Sequence, residues 1–142
     1  MPTWSDRAFS LATDLARKAG SLLLKNERGK RRIEYKAGVG NLVTEMDRAS
    51  EEMIVRSIRR EFPDHAIVAE ESGRHAGKGV RWFVDPLDGT TNYAHALPLY
   101  AVSIAYEKDG VMEGGVVYHP PLDDFWWARR GRGAYRNRKR VR

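Results

Sequence analysis

Between Ser5 and about Lys25 the apolar residues fall at Ala8, Leu11, Ala12, Leu15, Ala16, Ala19, Leu22 and Leu23. Steps of three and four place them on one face of a helix, with Ser5 or Thr3 as its N-cap. A second helix is predicted from Thr44 to Phe62, stopped by Pro63. Its buried face is expected to hold Met46, Ala49, Met53, Ile54, Ile58 and Phe62. Thr44-Glu45-Met46-Asp47 fits the capping-box pattern, in which the residue three after the cap reaches back to the cap's backbone. Capping alone gives Asp47 a structural reason to be there.

Between these helices, Arg31 to Tyr35 reads as a short strand and Lys36 to Asn41 as a loop, because two glycines and an asparagine interrupt the pattern. Beyond Pro63 the period shortens to that of strands. His65 to Ala69, Val80 to Val84, Ala101 to Glu107, Val111 to Tyr118 and Asp124 to Ala128 are the predicted segments. Arg74 to Gly79 is a polar loop. Lys108-Asp109-Gly110 makes a hairpin turn, and Pro120-Pro121 ends the strand before it. Gly131 to Asn137 supplies a further turn and strand, and Arg142 is expected to fall within strand pairing. Two helices ahead of hairpin-linked strands predict an α+β domain, two N-terminal helices packed on a mainly antiparallel sheet. It spans residues 1–142, and residues 129–142 form a basic tail.

The net charge of +6 raises the question of nucleic acid. Residues 129–142 hold eight of the 25 Lys and Arg residues and no acid, which leaves 17 bases against 19 acids, or −2, in the rest. The basicity is local, so a nucleic-acid partner is not expected. No apolar run approaches the ~20 residues of a membrane span. No signal peptide is evident, and the chain has no cysteine, which removes disulfides and thiolate chemistry. A cytoplasmic setting is expected.

The chemistry concentrates in Trp82-Phe83-Val84-Asp85-Pro86-Leu87-Asp88-Gly89-Thr90-Thr91. An apolar strand ends there in two carboxylates three positions apart, which suit a hard cation such as Mg²⁺. The strand ending at Ala69 runs into Glu70 and Glu71, so neighbouring strands would bring Glu70, Asp85 and Asp88 together. Carboxylates so gathered repel unless a cation neutralises them. The structural alternative is three solvated acids at loop starts; we prefer a metal site. Pro86 stiffens the loop and lets the Leu87 carbonyl serve as a neutral oxygen ligand. Gly89, Thr90 and Thr91 open a short helix whose first N–H groups attract a phosphate. A Thr90 hydroxyl beside a carboxylate can orient an attacking water. His95 and His119 read as ordinary polar residues, and Phe125-Trp126-Trp127 as packing rather than a base-stacking platform. No Gly-x-Ser-x-Gly or Walker-type loop is present.

The stretch from Trp82 to His95 resembles the first signature of the inositol monophosphatase family, Mg²⁺-dependent, lithium-sensitive sugar-phosphate phosphatases. Asn41-Leu42-Val43-Thr44-x-x-Asp47 and Ala69-Glu70-Glu71-Ser72 resemble two upstream family motifs, in the right order. The resemblance implies that Glu70, Asp85, the Leu87 carbonyl and Asp88 hold metal. It implies that Asp47 and Thr90 position the water with help from Glu70, and that Asp88, Gly89, Thr90 and Thr91 contact the phosphate. Asp47 then has two roles, cap and catalyst. Lys36 sits where the family often has a lysine near its mobile metal loop. The implied substrate is inositol monophosphate or a related small sugar or polyol phosphate, and the implied assembly a homodimer. The family's second signature, Trp-Asp-x-Ala-Ala-Gly, carries a further metal-binding aspartate and is absent here. The chain therefore resembles the N-terminal half of a layered αβαβα fold, and the alternative expectation is a weakly active or inactive metal-binding or dimerisation module. Arg138 stands where the family commonly has glycine, so an altered last turn is expected.

Overall fold

The computed structural model describes residues 1–27, 33–35 and 42–142. Arg31, Arg32 and the segment from Lys36 to Asn41, with the loop expected there, lie outside the described residues. Helix α1 runs from Trp4 to Asn26 and begins on a capping box, Thr3 accepting from the Asp6 N–H while Asp6 accepts from the Thr3 N–H. Helix α2 runs from Glu45 to Glu61 behind an equivalent box of Thr44 and Asp47. Strands β1 (Ile33–Tyr35) and β2 (Leu42–Thr44) form a separate antiparallel pair. The remaining strands are β3 (Ala66–Ala69), β4 (Gly73–His75), β5 (Val80–Asp88), β6 (Ala101–Lys108), β7 (Val111–His119), β8 (Asp124–Arg129), β9 (Gly133–Arg136) and β10 (Lys139–Val141). The short helix α3 (Thr90–Ala94) follows β5. No described helix is long and apolar enough to cross a membrane.

Eight strands form one sheet in the order β10-β9-β8-β7-β6-β5-β3-β4. Every pairing is antiparallel except β3 with β5, which run side by side with Ala69 opposite Val84. The expected α+β architecture is therefore present. Both helices lie against one face of the sheet. There Leu15, Ala16, Ala19 and Leu23 of α1 and Ile54 and Ile58 of α2 share a core with Ile67, Trp82, Val84, Val102, Ile104 and Val116. The edge strand β4 departs from the expected pattern, whereas β10 supplies the strand pairing expected near Arg142, which itself lies one residue past the strand. Gly73–His75, expected to be loop from Arg74 on, pairs with β3, and the basic stretch 129–142 is carried on β8, β9 and β10. Both edge strands are only three residues long, too short to show an alternation. Arg138 is accommodated because the left-handed position of its turn is taken by Asn137, at φ 53°.

The stripe that α2 buries is also rotated from expectation. Ala49 is exposed, while Asp47, Ser50, Glu51 and Val55 join Met46, Ile54 and Ile58 inside. The polar members of that stripe point at the end of β5, where the charged loop begins.

Close packing between β6 and β7 depends on Gly114, the register partner of Tyr106. A Cβ there would stand 2.4 Å from the hydroxyl of Tyr106, which is itself fully buried. Gly114→Ala is expected to cost about 1–3 kcal/mol through overpacking, read as a lower urea midpoint at unchanged slope; an unchanged midpoint would show that Tyr106 yields freely.

Candidate active site

The parallel pairing of β3 with β5 decides where the acids go. Ala69 and Val84 are register partners, and the Glu70 N–H donates to the Val84 carbonyl at 3.0 Å. Glu70 and Asp85 thus leave adjacent strands side by side. Beyond Asp85 the β5–β6 register shifts until Asp88 pairs with Ala101. Pro86 lies within this irregularity, where a strand tolerates a residue without an N–H. Its carbonyl accepts from the Ser50 hydroxyl at 3.0 Å, tying the irregular segment to α2. The Leu87 N–H turns back to Asp85 Oδ1 at 3.3 Å. Glu70 and Asp88 are exposed and Asp85 is partly buried. Burial, with the nearby carboxylates of Asp88 and Glu70, pushes the Asp85 carboxyl up to about 6.

Asp47 comes to the same place from the start of α2. Its side chain is 1% exposed and fully engaged. Oδ1 accepts from the Thr44 N–H at 2.8 Å and the Thr44 hydroxyl at 2.6 Å, which is the capping role. Oδ2 accepts from the Thr90 hydroxyl at 2.8 Å. The same hydroxyl lies 3.2 Å from the Leu87 carbonyl, so its single proton is shared between two acceptors, with Asp47 the nearer. The cap and the site use opposite oxygens of one carboxylate.

Gly89 sets the direction in which α3 leaves β5. Its φ of 94° is left-handed, and a Cβ would sit 2.7 Å from the Leu99 carbonyl oxygen. Thr90 is thereby turned inward to Asp47, while Thr91 is exposed. The first N–H groups of α3 have no partner within the helix by construction.

The structure thus brings together Asp47, Leu87 and Thr90 by direct hydrogen bonds, and Glu70, Asp85 and Asp88 by adjacency and charge. The donors are all hard oxygens, the set that suits a divalent cation of the Mg²⁺ type. The repulsion felt by Asp85 is what such a cation would relieve. Among the described residues, no three acids or histidines are drawn closely enough to enclose an ion as they stand. His95 and His119 are engaged elsewhere, with the Thr91 and Pro98 carbonyls. Lys36 lies outside the described residues.

Two residues of the site region escaped the sequence reading. Glu51, 4% exposed, accepts from the N–H groups of Glu71 at 2.6 Å and Ser72 at 2.8 Å, and so fixes the turn that presents Glu70. Ser50 anchors Pro86. The signal was available: Ser50 and Glu51 lie three and four residues after Asp47, on the same helical face.

The chain matches the model of the inositol monophosphatase family over residues 4–142. It is 43% identical to the Nus factor SuhB of Salmonella typhimurium over 137 residues, covering 94% of this chain and 51% of that protein. It is 37% identical to inositol monophosphatase 2 of Homo sapiens, covering 96% of this chain and 49% of the human protein. Among solved structures, the Thermotoga maritima IMPase superposes with a TM-score of 0.86 at 40% identity, over 95% of this chain and 52% of that one. The chain spans about half the length of the curated relatives it matches. On the whole-chain family match and the shared fold, this chain belongs to the inositol monophosphatase family.

Proposed function

We propose that the chain carries the site of a Mg²⁺-dependent phosphomonoesterase that hydrolyses inositol monophosphate or a related small sugar or polyol phosphate. The observation that carries this reading is the Thr90 to Asp47 hydrogen bond beside the Glu70, Asp85 and Asp88 carboxylates. With its proton directed to Asp47 Oδ2, the Thr90 oxygen keeps lone pairs that can accept a hydrogen bond from water. Water held there is aligned by Thr90, and its proton has a path through that hydroxyl to a buried carboxylate. Glu70, on the neighbouring strand, assists as a second acceptor. Glu70, Asp85, Asp88 and the Leu87 carbonyl would hold Mg²⁺. When bound, such an ion acts as a Lewis acid on the phosphate and makes water a stronger nucleophile. Asp88, Gly89, Thr90 and Thr91 border the place where the phosphate would rest, with the backbone N–H groups of the α3 start facing its charge.

The names of the human and Thermotoga maritima relatives support a phosphatase. A second reading has its own observation, an apolar sheet face left exposed. On that reading it is a metal-binding or dimerisation module without turnover. The sheet face turned away from the helices, where Met112, Val117 and Trp126 are 40–49% exposed, is the surface on which copies would associate.

Phosphate release from inositol 1-phosphate in the presence of Mg²⁺ tests the first reading. Turnover is expected to fall about 10²–10⁴-fold in Thr90→Ala, as for loss of a proton-positioning group. Asp88→Asn is expected to be as damaging. Turnover indifferent to Thr90 and Asp88 would sink the mechanism. Mg²⁺ binding with no release of phosphate is the outcome of the second reading.

A thermal readout tests the carboxylate pocket without activity. The folded-state pKa of Asp85, about 6, lies above its ordinary value of 3.8. The folded chain therefore holds this proton more tightly than the unfolded one, and stability contributed by Asp85 falls as pH rises between those two values. Asp85→Asn is expected to raise the melting temperature in metal-free buffer at neutral pH and to flatten that dependence. Mg²⁺ is expected to raise the melting temperature of the wild type but not of Asp85→Asn. A drop in stability on making Asp85→Asn would contradict a pocket in which burial and repulsion together disfavour the Asp85 charge.

A further inference from the structure

The eight bases of residues 129–142 divide into two groups once their partners are known. Four are anchors. Arg129 donates to Asp6 at 2.8 Å, Arg132 lies 3.9 Å from the same carboxylate, and Arg130 meets Glu113 at 3.4 Å. Arg136 donates to both oxygens of Asp124 at 3.0 Å. The other four, Arg138, Lys139, Arg140 and Arg142, are exposed. None of the salt bridges among the described residues includes them.

These four stand on an ordered element. Asn137 pins the β9–β10 turn to β8 three times: its N–H donates to the Phe125 carbonyl at 2.6 Å, its Oδ1 accepts from the Phe125 N–H at 2.9 Å, and its carbonyl accepts from the Trp127 indole at 3.1 Å. Beside the turn, a row of register partners runs across the helix-side face of the sheet from Val116 through Trp127 and Tyr135 to Arg140. The rings of Trp127 and Tyr135 stack with centroids 4.2 Å apart, and Phe9 of α1 backs Trp127 at 5.2 Å. Together Phe9, Phe125, Trp127, Tyr135, Arg17 and Arg138 line a groove along the flank of α1. Asp123 lies 3.8 Å from Arg17, and Asp124, next to Phe125 in the chain, is held by Arg136.

We infer that this basic edge and its aromatic groove form a binding surface for single-stranded nucleic acid. Exposed guanidinium and ammonium groups gathered at one edge suit phosphates, and the half-exposed ring of Tyr135 at the end of the aromatic row suits a base, a pairing that tolerates any sequence. Lys139 and Arg140 stand on β10, and Arg142 follows its last residue. Edge-strand charge also prevents sheets from adding to one another, but that role needs neither a groove nor aligned rings. The local basicity that argued against nucleic acid in the sequence is thus turned into a face by the fold. The inference is independent of the carboxylate site.

Fluorescence anisotropy of labelled oligouridylate and oligothymidylate of about 12 nucleotides, within the usual span of such sites, tests it. Saturable binding of either strand is expected, with log K falling against log salt at a slope of about −2 if three phosphates are neutralised. Arg138→Glu combined with Arg140→Glu is expected to weaken binding at least tenfold. Tyr135→Leu is expected to weaken oligonucleotide binding about fivefold while leaving binding of inorganic polyphosphate, which has charge but no bases, unchanged. Circular dichroism confirms the fold of each variant, and the charge-reversed pair, at exposed positions, decides the matter if Tyr135→Leu does not fold. Polyphosphate binding as tight as that of the oligonucleotides, tighter binding of a duplex, no saturable binding at low salt, or indifference to the charge reversal would each overturn the inference.

Discussion

The buried carboxylate of Asp47 is the interaction on which the site depends. A charge removed from water must be met by donors, and Asp47 meets three, from Thr44 and Thr90. Those donors come from distant parts of the chain. Thr44 begins α2, while Thr90 follows the end of β5, so satisfying one side chain joins the helix layer to the sheet's charged edge. The N-cap and the Thr90 hydrogen bond share that one carboxylate through its opposite oxygens.

A second constraint opposes the first. Parallel pairing of β3 with β5 delivers Glu70 beside Asp85, and the shifted register after Asp85 brings Asp88 near as well. Burial first, and the like charges of Asp88 and Glu70 beside it, disfavour the ionised form of Asp85 and raise the pH to which it holds its proton. The surrounding structure resists the repulsion at named points. Ser50 holds Pro86, Glu51 holds the turn after Glu70, and the left-handed Gly89 commits the chain to α3. A segment held this firmly in an unfavourable electrostatic arrangement is suited to an ion that reverses the balance.

Much of this was legible in the sequence. The three-and-four spacing marked both helices, Thr44 with Asp47 marked a cap, and apolar runs ending in acids marked two neighbouring strands. What periodicity could not show was rotation about a helix axis. Ala49 was expected inside, and Ser50 and Glu51 were not named although they stand three and four residues after Asp47, because the partners that bury a polar group lie elsewhere in the chain. A three-residue edge strand such as β4 carries too few residues for alternation, and its pairing is a tertiary fact. The arginines of residues 129–142 are similar: only contacts with Asp6, Glu113 and Asp124 separate anchors from free charges.

The central claim, that Asp85 and its neighbours form a pocket whose repulsion a divalent cation relieves, is tested most directly by calorimetric titration with Mg²⁺ in buffers of different ionisation heat. Binding is expected to be saturable and to release a proton near pH 6, where Asp85 is partly protonated, but none near pH 8. Absence of saturable binding, or binding with no proton release at the lower pH, would contradict the account.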